Sequence, residues 1–210
     1  MNLMNENMSK ADIKSKRLQL YNGIKRFFIF LICEISYFHY SIYKARLLKF
    51  KTISEFISIY PGSFGIYLRR GFYNRAFKKK CGKNLAVGFG SIFSYPTAEI
   101  GDGLIIEDNC VISRCVIGDN VTIASNVSLM SGAHHHGTSG TDIPIREQPG
   151  TPKAITIGDD VWIGTRSVIM NDVGTGCVIG AGAVVTKSIP EYSIAVGVPA
   201  KVIKKRVINK

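Results

Sequence analysis

The chain has 210 residues, 46% of them hydrophobic, with 27 Lys/Arg against 15 Asp/Glu and a formal net charge of +12. It is long enough to bury a sizeable core as one domain or two small ones. The basicity is confined: residues 1–84 carry 17 Lys/Arg and 4 Asp/Glu, whereas residues 85–210 carry 10 and 11. No nucleic-acid recognition motif accompanies the basic segment, which argues against nucleic acid as a partner. The five cysteines (Cys33, Cys81, Cys110, Cys115, Cys177) lack metal-ligand spacing and leave an odd one over, so they read as reduced thiols of a cytoplasmic protein.

Residues 1–20 read as a polar, basic tail with no apolar core beside a small-residue cleavage site, hence no cleavable signal. From Tyr21 to Phe50 the chain is strongly apolar, and Ile24, Phe27, Phe28, Leu31, Ile35, Phe38 and Ile42 follow helical spacing. The longest uninterrupted apolar run, Phe27 to Cys33, falls well short of the roughly 18–20 residues that span a bilayer. Lys25, Arg26, Lys44, Arg46, Lys49 and Lys51 bracket this stretch. Two readings stay open: a helix lying in the inner-membrane interface, or a helical cap on the rest of the molecule. A second apolar-basic stretch, Ile53 to Tyr60, stops at Pro61-Gly62, and a third runs from Phe64 to Phe77 and ends in Lys78-Lys79-Lys80, so two or three helices are predicted in all.

From Asn84 the chain turns β-like, and between Gly101 and Lys187 apolar residues recur every sixth position: Ile105, Val111, Ile117, Ile123 and Leu129, then Ile157, Ile163 and Ile169, then Val173, Ile179 and Val185. A period of six suits neither a helix nor a simple strand; it suits a solenoid that turns a corner every six residues with one apolar side chain inward per flat face. Gly118, Gly158, Gly164 and Gly180 follow inward residues and are expected to supply the corner conformation. The step from Ile169 to Val173 is two residues short, which predicts a contracted or bulged coil there.

The beat fails between Ala133 and Ala154, a stretch holding His134, His135 and His136, three of the chain's four histidines. A long insertion inside a compact repeat is usually functional. Consecutive residues of an extended chain point in opposite directions, so three adjacent histidines do not converge easily on one zinc, and no metal is expected. An inert exposed tract is a further alternative. The preferred reading is a general base, because an imidazole titrates near working pH and offers two ring nitrogens with separable duties.

The run from Ile117 to Leu129 followed by Ser131-Gly132-Ala133-His134, the run Ala154–Gly164, the run Val178–Lys187, and Val196-Gly197-Val198-Pro199-Ala200-Lys201 together resemble the hexapeptide-repeat acyltransferases, especially the sugar and polysaccharide O-acetyltransferases. The resemblance covers roughly residues 84–206. It implies a mainly β protein: a left-handed parallel β-helix over 85–206 with a 134–154 active-site loop, preceded by a basic, aromatic-rich helical segment over 1–84. It further implies a homotrimer with active sites between subunits, acetyl-CoA as co-substrate and a saccharide hydroxyl as acceptor.

By the same resemblance His134 is the catalytic base. His135, His136 and Asn109 fall near the acceptor, and Asp142 or Glu147 is the candidate to orient the base. Gly164, Thr165, Ala181, Gly182, Thr186, Lys187 and Lys201 fall along acetyl-CoA, and Trp162 occupies a largely structural position. Lys204-Lys205-Arg206 reads either as a phosphate contact or as a solvated tail. Two rival readings are a serine O-acetyltransferase-like enzyme with a small acceptor and a non-catalytic β-helix binding module.

Overall fold

The computed structural model describes residues 2–77, 81–132, 137 and 140–206, apart from the side chains of residues 2–12 and of Cys33. Three helices come first: α1 (Asn2–Lys44), α2 (Phe50–Ser58) and α3 (Gly62–Ala76). The backbone of α1 runs helical through the stretch read above as a tail, in keeping with a segment that contains no proline. Its inner face is Ile29, Ile32, Ser36, Tyr40 and Tyr43, spaced three and four apart, and it packs along α3. The two helices approach most closely where Gly71 faces Ser36, since a Cβ on Gly71 would lie 2.3 Å from the Ser36 hydroxyl.

The remainder is a coil of short parallel strands on three flat faces. Face 1 stacks Val87, Ile106, Ile123, Ile163, Ile179 and Ala195; face 2 stacks Phe93, Ile112, Leu129, Ile169 and Val185. Face 3 stacks Cys81, Ile100, Ile117, Ile157, Val173 and Ile189. All of these point inward, and apart from half-buried Cys81 all are buried. A second inward row two residues earlier adds Leu85, Leu104, Cys110, Val121, Val127, Val161 and Cys177. A final strand, Lys201–Lys205, folds back antiparallel on Ser193–Val196.

The six-residue beat is correct, but its phase slips in the first coils. Ile105 and Val111 face outward, 46% and 43% exposed, and Ile106 and Ile112 are the inward residues. The cause is the step from Ile112 to Ile117, which takes five residues and shifts everything before it by one place. The glycine reading also changes. A Cβ on Gly118 would fall within 2.8 Å of the Gly158 and Asp159 backbone, so Gly118 is small because the next coil lies against it. The left-handed corner residues come three places after each inward residue instead: Asn84, Gly103, Asn120, Asp160, Gly176 and Tyr192 between faces 3 and 1, and Gly90, Asn109, Asn126, Arg166 and Gly182 between faces 1 and 2. Gly, Asn and Asp, the residues that adopt this conformation most readily, fill most of these places.

The open end of such a coil presents unpaired backbone groups. Here α2 and α3 cover it. Arg69, fully buried, donates from Nε to the Val87 carbonyl at 2.8 Å. Its Nη1 donates to the carbonyls of Ile57, Ser58 and Tyr60 at the C-terminus of α2. Tyr73 and Phe77 stack at 5.3 Å, and both meet Phe93 edge-on at 4.9 and 5.0 Å, plugging the first coil.

Candidate active site

Along faces 1 and 2 and around two of the three corners, successive inward residues are always six apart. The corner between faces 2 and 3 differs. Its steps are seven residues from Phe93 to Ile100, five from Ile112 to Ile117, and four both from Ile169 to Val173 and from Val185 to Ile189. The long insertion leaves the coil at this same corner, between Leu129 and Ile155. Every irregularity of the repeat therefore falls on one edge of the prism.

The contraction at Ile169–Val173 keeps the stack intact, and side chains take over the role of the missing corner residues. Asn171 Oδ1 accepts from the Asp172 N–H at 2.9 Å and from the Ser188 hydroxyl at 2.8 Å, and its Nδ2 donates to the Thr186 carbonyl at 3.3 Å. Asp172 Oδ1 accepts from the Thr156 N–H at 2.7 Å. Val173 remains buried and bridges Ile157 to Ile189.

The insertion is anchored at its root and in its middle. The Lys153 N–H donates to the Ser131 carbonyl at 3.1 Å, closing the root, and the buried Ser131 hydroxyl accepts from the Arg114 N–H at 3.1 Å. Within the loop, Gln148 is buried and its amide nitrogen donates to the carbonyls of Gly140 at 2.8 Å and Ile143 at 3.1 Å. Beside the root is a pocket of about 180 Å³ lined by Gly132, Lys153, Met170, Asn171, Asp172 and Thr186. One coil away on the same edge, the Arg114 guanidinium lies 4.8 Å over the Tyr95 ring.

His134, His135 and His136 lie outside the described residues, as do Lys78, Lys79 and Lys80. Thr186 lines the pocket at the loop root, and Lys187 follows it, exposed. Gly164, Thr165, Ala181 and Gly182 gather on a different edge, between faces 1 and 2, where the Gly182 N–H donates to the Thr165 carbonyl at 2.8 Å. Asn109 is on that second edge, its left-handed backbone (φ 58°) being the conformation its corner demands. Within one protomer the expected cofactor residues thus divide between two edges, with Asn109 on the same edge as Gly164, Thr165, Ala181 and Gly182.

Asp142 is exposed, and Glu147 is exposed and paired with Arg146 at 3.3 Å. Lys201 is exposed at the start of the antiparallel strand. Arg206 is held to the coil, donating to Asp160 Oδ2 at 3.0 Å and the Gly176 carbonyl at 2.7 Å, and Lys205 donates to the Glu191 carbonyl. Two of the three C-terminal basic residues therefore have partners in the fold. Gln148, Lys153 and Arg114 carry the architecture of this edge together with Asn171 and Tyr95, and nothing in the sequence marks the first three. The short step at Asn171 was the one signal pointing to it.

The family model for bacterial transferase hexapeptide (six repeats) matches residues 97–130 and 154–187, the two blocks on either side of the insertion. A putative lipopolysaccharide biosynthesis O-acetyl transferase of Escherichia coli K12 is 35% identical over 129 residues, 57% of this chain and 63% of that protein. A serine acetyltransferase of Bacillus pumilus is 30% identical over 159 residues, 71% of this chain and 67% of that protein. Among solved structures, a galactoside acetyltransferase in complex with coenzyme A superposes with a TM-score of 0.63 and 32% identity over 74% of this chain and 78% of that one. The chain spans 37%, 63% and 47% of the first three curated relatives it matches.

Proposed function

This chain belongs to the hexapeptide-repeat acyltransferase family, and on that premise we propose that it moves an acetyl group from acetyl-CoA to a hydroxyl of a saccharide, one destined for a bacterial surface polysaccharide or its precursor. The observation that carries the reading is the convergence of the histidine-bearing loop, the contracted corner at Asn171 and the pocket at Thr186 on a single edge of the coil. The relatives named for lipopolysaccharide and galactoside acetylation supply the acceptor class.

In this reading the coil is left-handed, residues 85–206 form the transferase domain with its 134–154 loop, and residues 1–84 form the capping segment. His134 takes the proton of the acceptor hydroxyl as its oxygen attacks the thioester carbonyl. The new ester C–O bond forms, the C–S bond breaks, and the proton passes to the departing sulfur of coenzyme A. A general base of this kind contributes about 10²–10⁴-fold in rate, and backbone N–H groups beside the cleft serve the oxyanion. His135 and His136 line the acceptor side from the loop and Asn109 from the facing edge of the neighbouring subunit, and Asp142 or Glu147 orients the imidazole.

The residues along the edge between faces 1 and 2 suit coenzyme A. Beyond the missing Cβ of Gly182 there is open space, and Thr165 and Ala181 are exposed beside it. That leaves backbone within reach of a thin arm, with Lys201 available to its phosphates and Thr186 and Lys187 supplied from the loop-root edge of a neighbouring subunit. Because these residues and the loop root lie on two edges, one protomer's loop meets a neighbour's cofactor edge in a homotrimer. Ile105, Val111 and the 55%-exposed Trp162 on the outer surfaces of faces 1 and 2 supply apolar area for that contact. We place the enzyme in the cytoplasm beside the inner membrane.

A second reading, transfer to serine, is favoured by the extent of the match to the Bacillus pumilus enzyme. The deciding experiment follows thiol release from acetyl-CoA with a panel of surface glycans and with L-serine, for wild type and His134→Ala. Glycan-dependent release that falls about 100-fold or more in a folded variant establishes the enzyme and its base. Release driven by serine alone selects the second reading. No release with any acceptor, together with no acetyl-CoA binding by calorimetry, leaves a binding module.

A further inference from the structure

The helical segment does more than close the coil. A ribbon of aromatic rings crosses all three helices on one side: Phe38 to His39 at 5.9 Å, His39 to Phe56 at 5.7 Å, Phe56 to Tyr60 at 5.9 Å and Tyr60 to Phe64 at 5.5 Å. Three of these rings face solvent, Phe38 63%, Phe56 51% and Phe64 38% exposed, while His39 and Tyr60 between them are half-buried. The ribbon runs on into a groove of about 470 Å³ between α1 and α3, lined by Tyr21, Ile24, Phe28, Ile29, Phe64 and Tyr67. Leu20, Phe27, Leu31 and Ile35 widen the exposed face along α1.

The charge around this face is predominantly positive. Residues 13–58 contain nine Lys/Arg and two acids, Glu34 and Glu55, the latter paired with Lys51 at 3.4 Å. At helical periodicity Lys25 and Arg26 fall at the two edges of the α1 apolar face, where long basic side chains reach outward past an apolar surface. Apolar width, flanking cations and aromatic rings together match a helix lying in the boundary between lipid headgroups and acyl chains. Among the described residues no helix is long and apolar enough to cross a membrane. A second copy of the chain fits this face less well. The exposed apolar positions spread over about half the helix circumference, wider than a helix–helix seam.

We infer that the face built by α1, α2 and α3, centred on Phe28, Phe38, Phe56 and Phe64, docks on the surface of a bilayer containing anionic phospholipids. The rings and the α1–α3 groove take the acyl boundary, and Arg17, Lys25, Arg26 and Lys49 meet the headgroup phosphates. This deepens the membrane-side location proposed above. It stands apart from the transfer chemistry, because lipid binding needs neither acetyl-CoA nor an acceptor.

The test is co-sedimentation of the full chain with vesicles of phosphatidylcholine alone and of phosphatidylcholine mixed with phosphatidylglycerol in equal parts. Wild type should pellet with the mixed vesicles and stay largely in solution with the neutral ones. Phe38→Ser/Phe56→Ser and, separately, Lys25→Gln/Arg26→Gln should each weaken partition by about tenfold or more while the thermal midpoint is held. A Phe56→Trp reporter in a Trp162→Phe background should shift its emission to the blue on the mixed vesicles only. Equal partition onto both vesicle types, or none from a folded chain, overturns the inference. So does a lower oligomeric state of the serine variant with vesicle binding intact, which would make the face a contact between copies.

Discussion

The N–H of Lys153 donates to the carbonyl of Ser131 at 3.1 Å, so the loop that carries the histidines leaves the coil and rejoins it at one point. A loop pinned only at its root would sample many shapes; the buried Gln148 amide ties Gly140 and Ile143 together and restricts it. Replacing Gln148 by Ala leaves two carbonyls without their donor, a cost of about 1–3 kcal/mol confined to the loop. We expect kcat/KM for acyl transfer to fall about 10- to 100-fold, with the thermal midpoint of the coil almost unchanged. Steady-state kinetics beside a melting curve checks this; a large drop in the midpoint with unaltered kcat/KM would place Gln148 in the scaffold instead.

Two glycines should respond in opposite ways to substitution. Gly118 has the backbone of Gly158 and Asp159 against it, so Gly118→Ala must push a coil aside. Its expected cost is about 2 kcal/mol or more. Gly182 has nothing within 4 Å of its missing Cβ but a φ of +69°, and of the four equivalent corners before it two are held by Asn109 and Asn126 and one by Arg166. Gly182→Asn should therefore cost less than about 1 kcal/mol, and Gly182→Val clearly more. Urea unfolding of the three variants measures the order, and equal costs at the two sites would refute the distinction.

These corners also mark where reading the sequence succeeded and where it stopped. The six-residue period was legible because one inward side chain per face is a strong, local signal. The phase was lost before Ile117, because a five-residue corner at Ser113-Arg114 cannot be told from a six-residue one when Ile105 and Ile106 are both apolar. The corner rule, mostly Asn, Gly or Asp three places after the inward residues of faces 1 and 3, was present in the sequence and was masked by the glycines that follow Ile117, Ile157, Ile163 and Ile179. The histidine loop was visible as a break in the beat. That Asn171 and Lys153 share its edge was not, since their proximity depends on stacking coils that are distant in sequence. Of the helices, the aromatic-basic character was plain, whereas the role of Arg69 needed the position of Val87, 18 residues away.

Arg69 fixes α3 to both the first coil and the C-terminus of α2, so its loss should be felt in all three places. Arg69→Ala would leave the carbonyls of Val87, Ile57 and Tyr60 without this donor and Ser58 with the Gly90 N–H alone. The expected destabilisation is about 3–5 kcal/mol. Hydrogen exchange should show it as lost protection in α2 and the first coil before the later coils respond. Uniform loss across the whole chain would mean that the cap and the coil unfold as one unit.

The phenol of Tyr73 gives the cap a dependence on alkaline pH. Burial pushes its pKa up from 10.0 to about 12, against the opposing effect of its hydrogen bond with Ser54. Below about pH 10 the phenol is protonated in folded and unfolded chains alike, and its contribution to stability is fully present. Between about pH 10 and 12 the unfolded chain releases the proton while the folded chain retains it, so stability falls as pH rises, by about 1.4 kcal/mol per unit at most. Burial of the Cys115 thiol, pushed up from 9.0 to about 12, acts in the same direction and begins nearer pH 9. Tyr73→Phe should cost about 1 kcal/mol at pH 8, through the Ser54 hydroxyl left without this partner. It should also lose less stability than wild type between pH 10 and 11.5, so the two curves converge. Urea midpoints followed by circular dichroism at pH 8, 10 and 11.5 test this, and parallel curves for the two proteins would show that Tyr73 is not the titrating group.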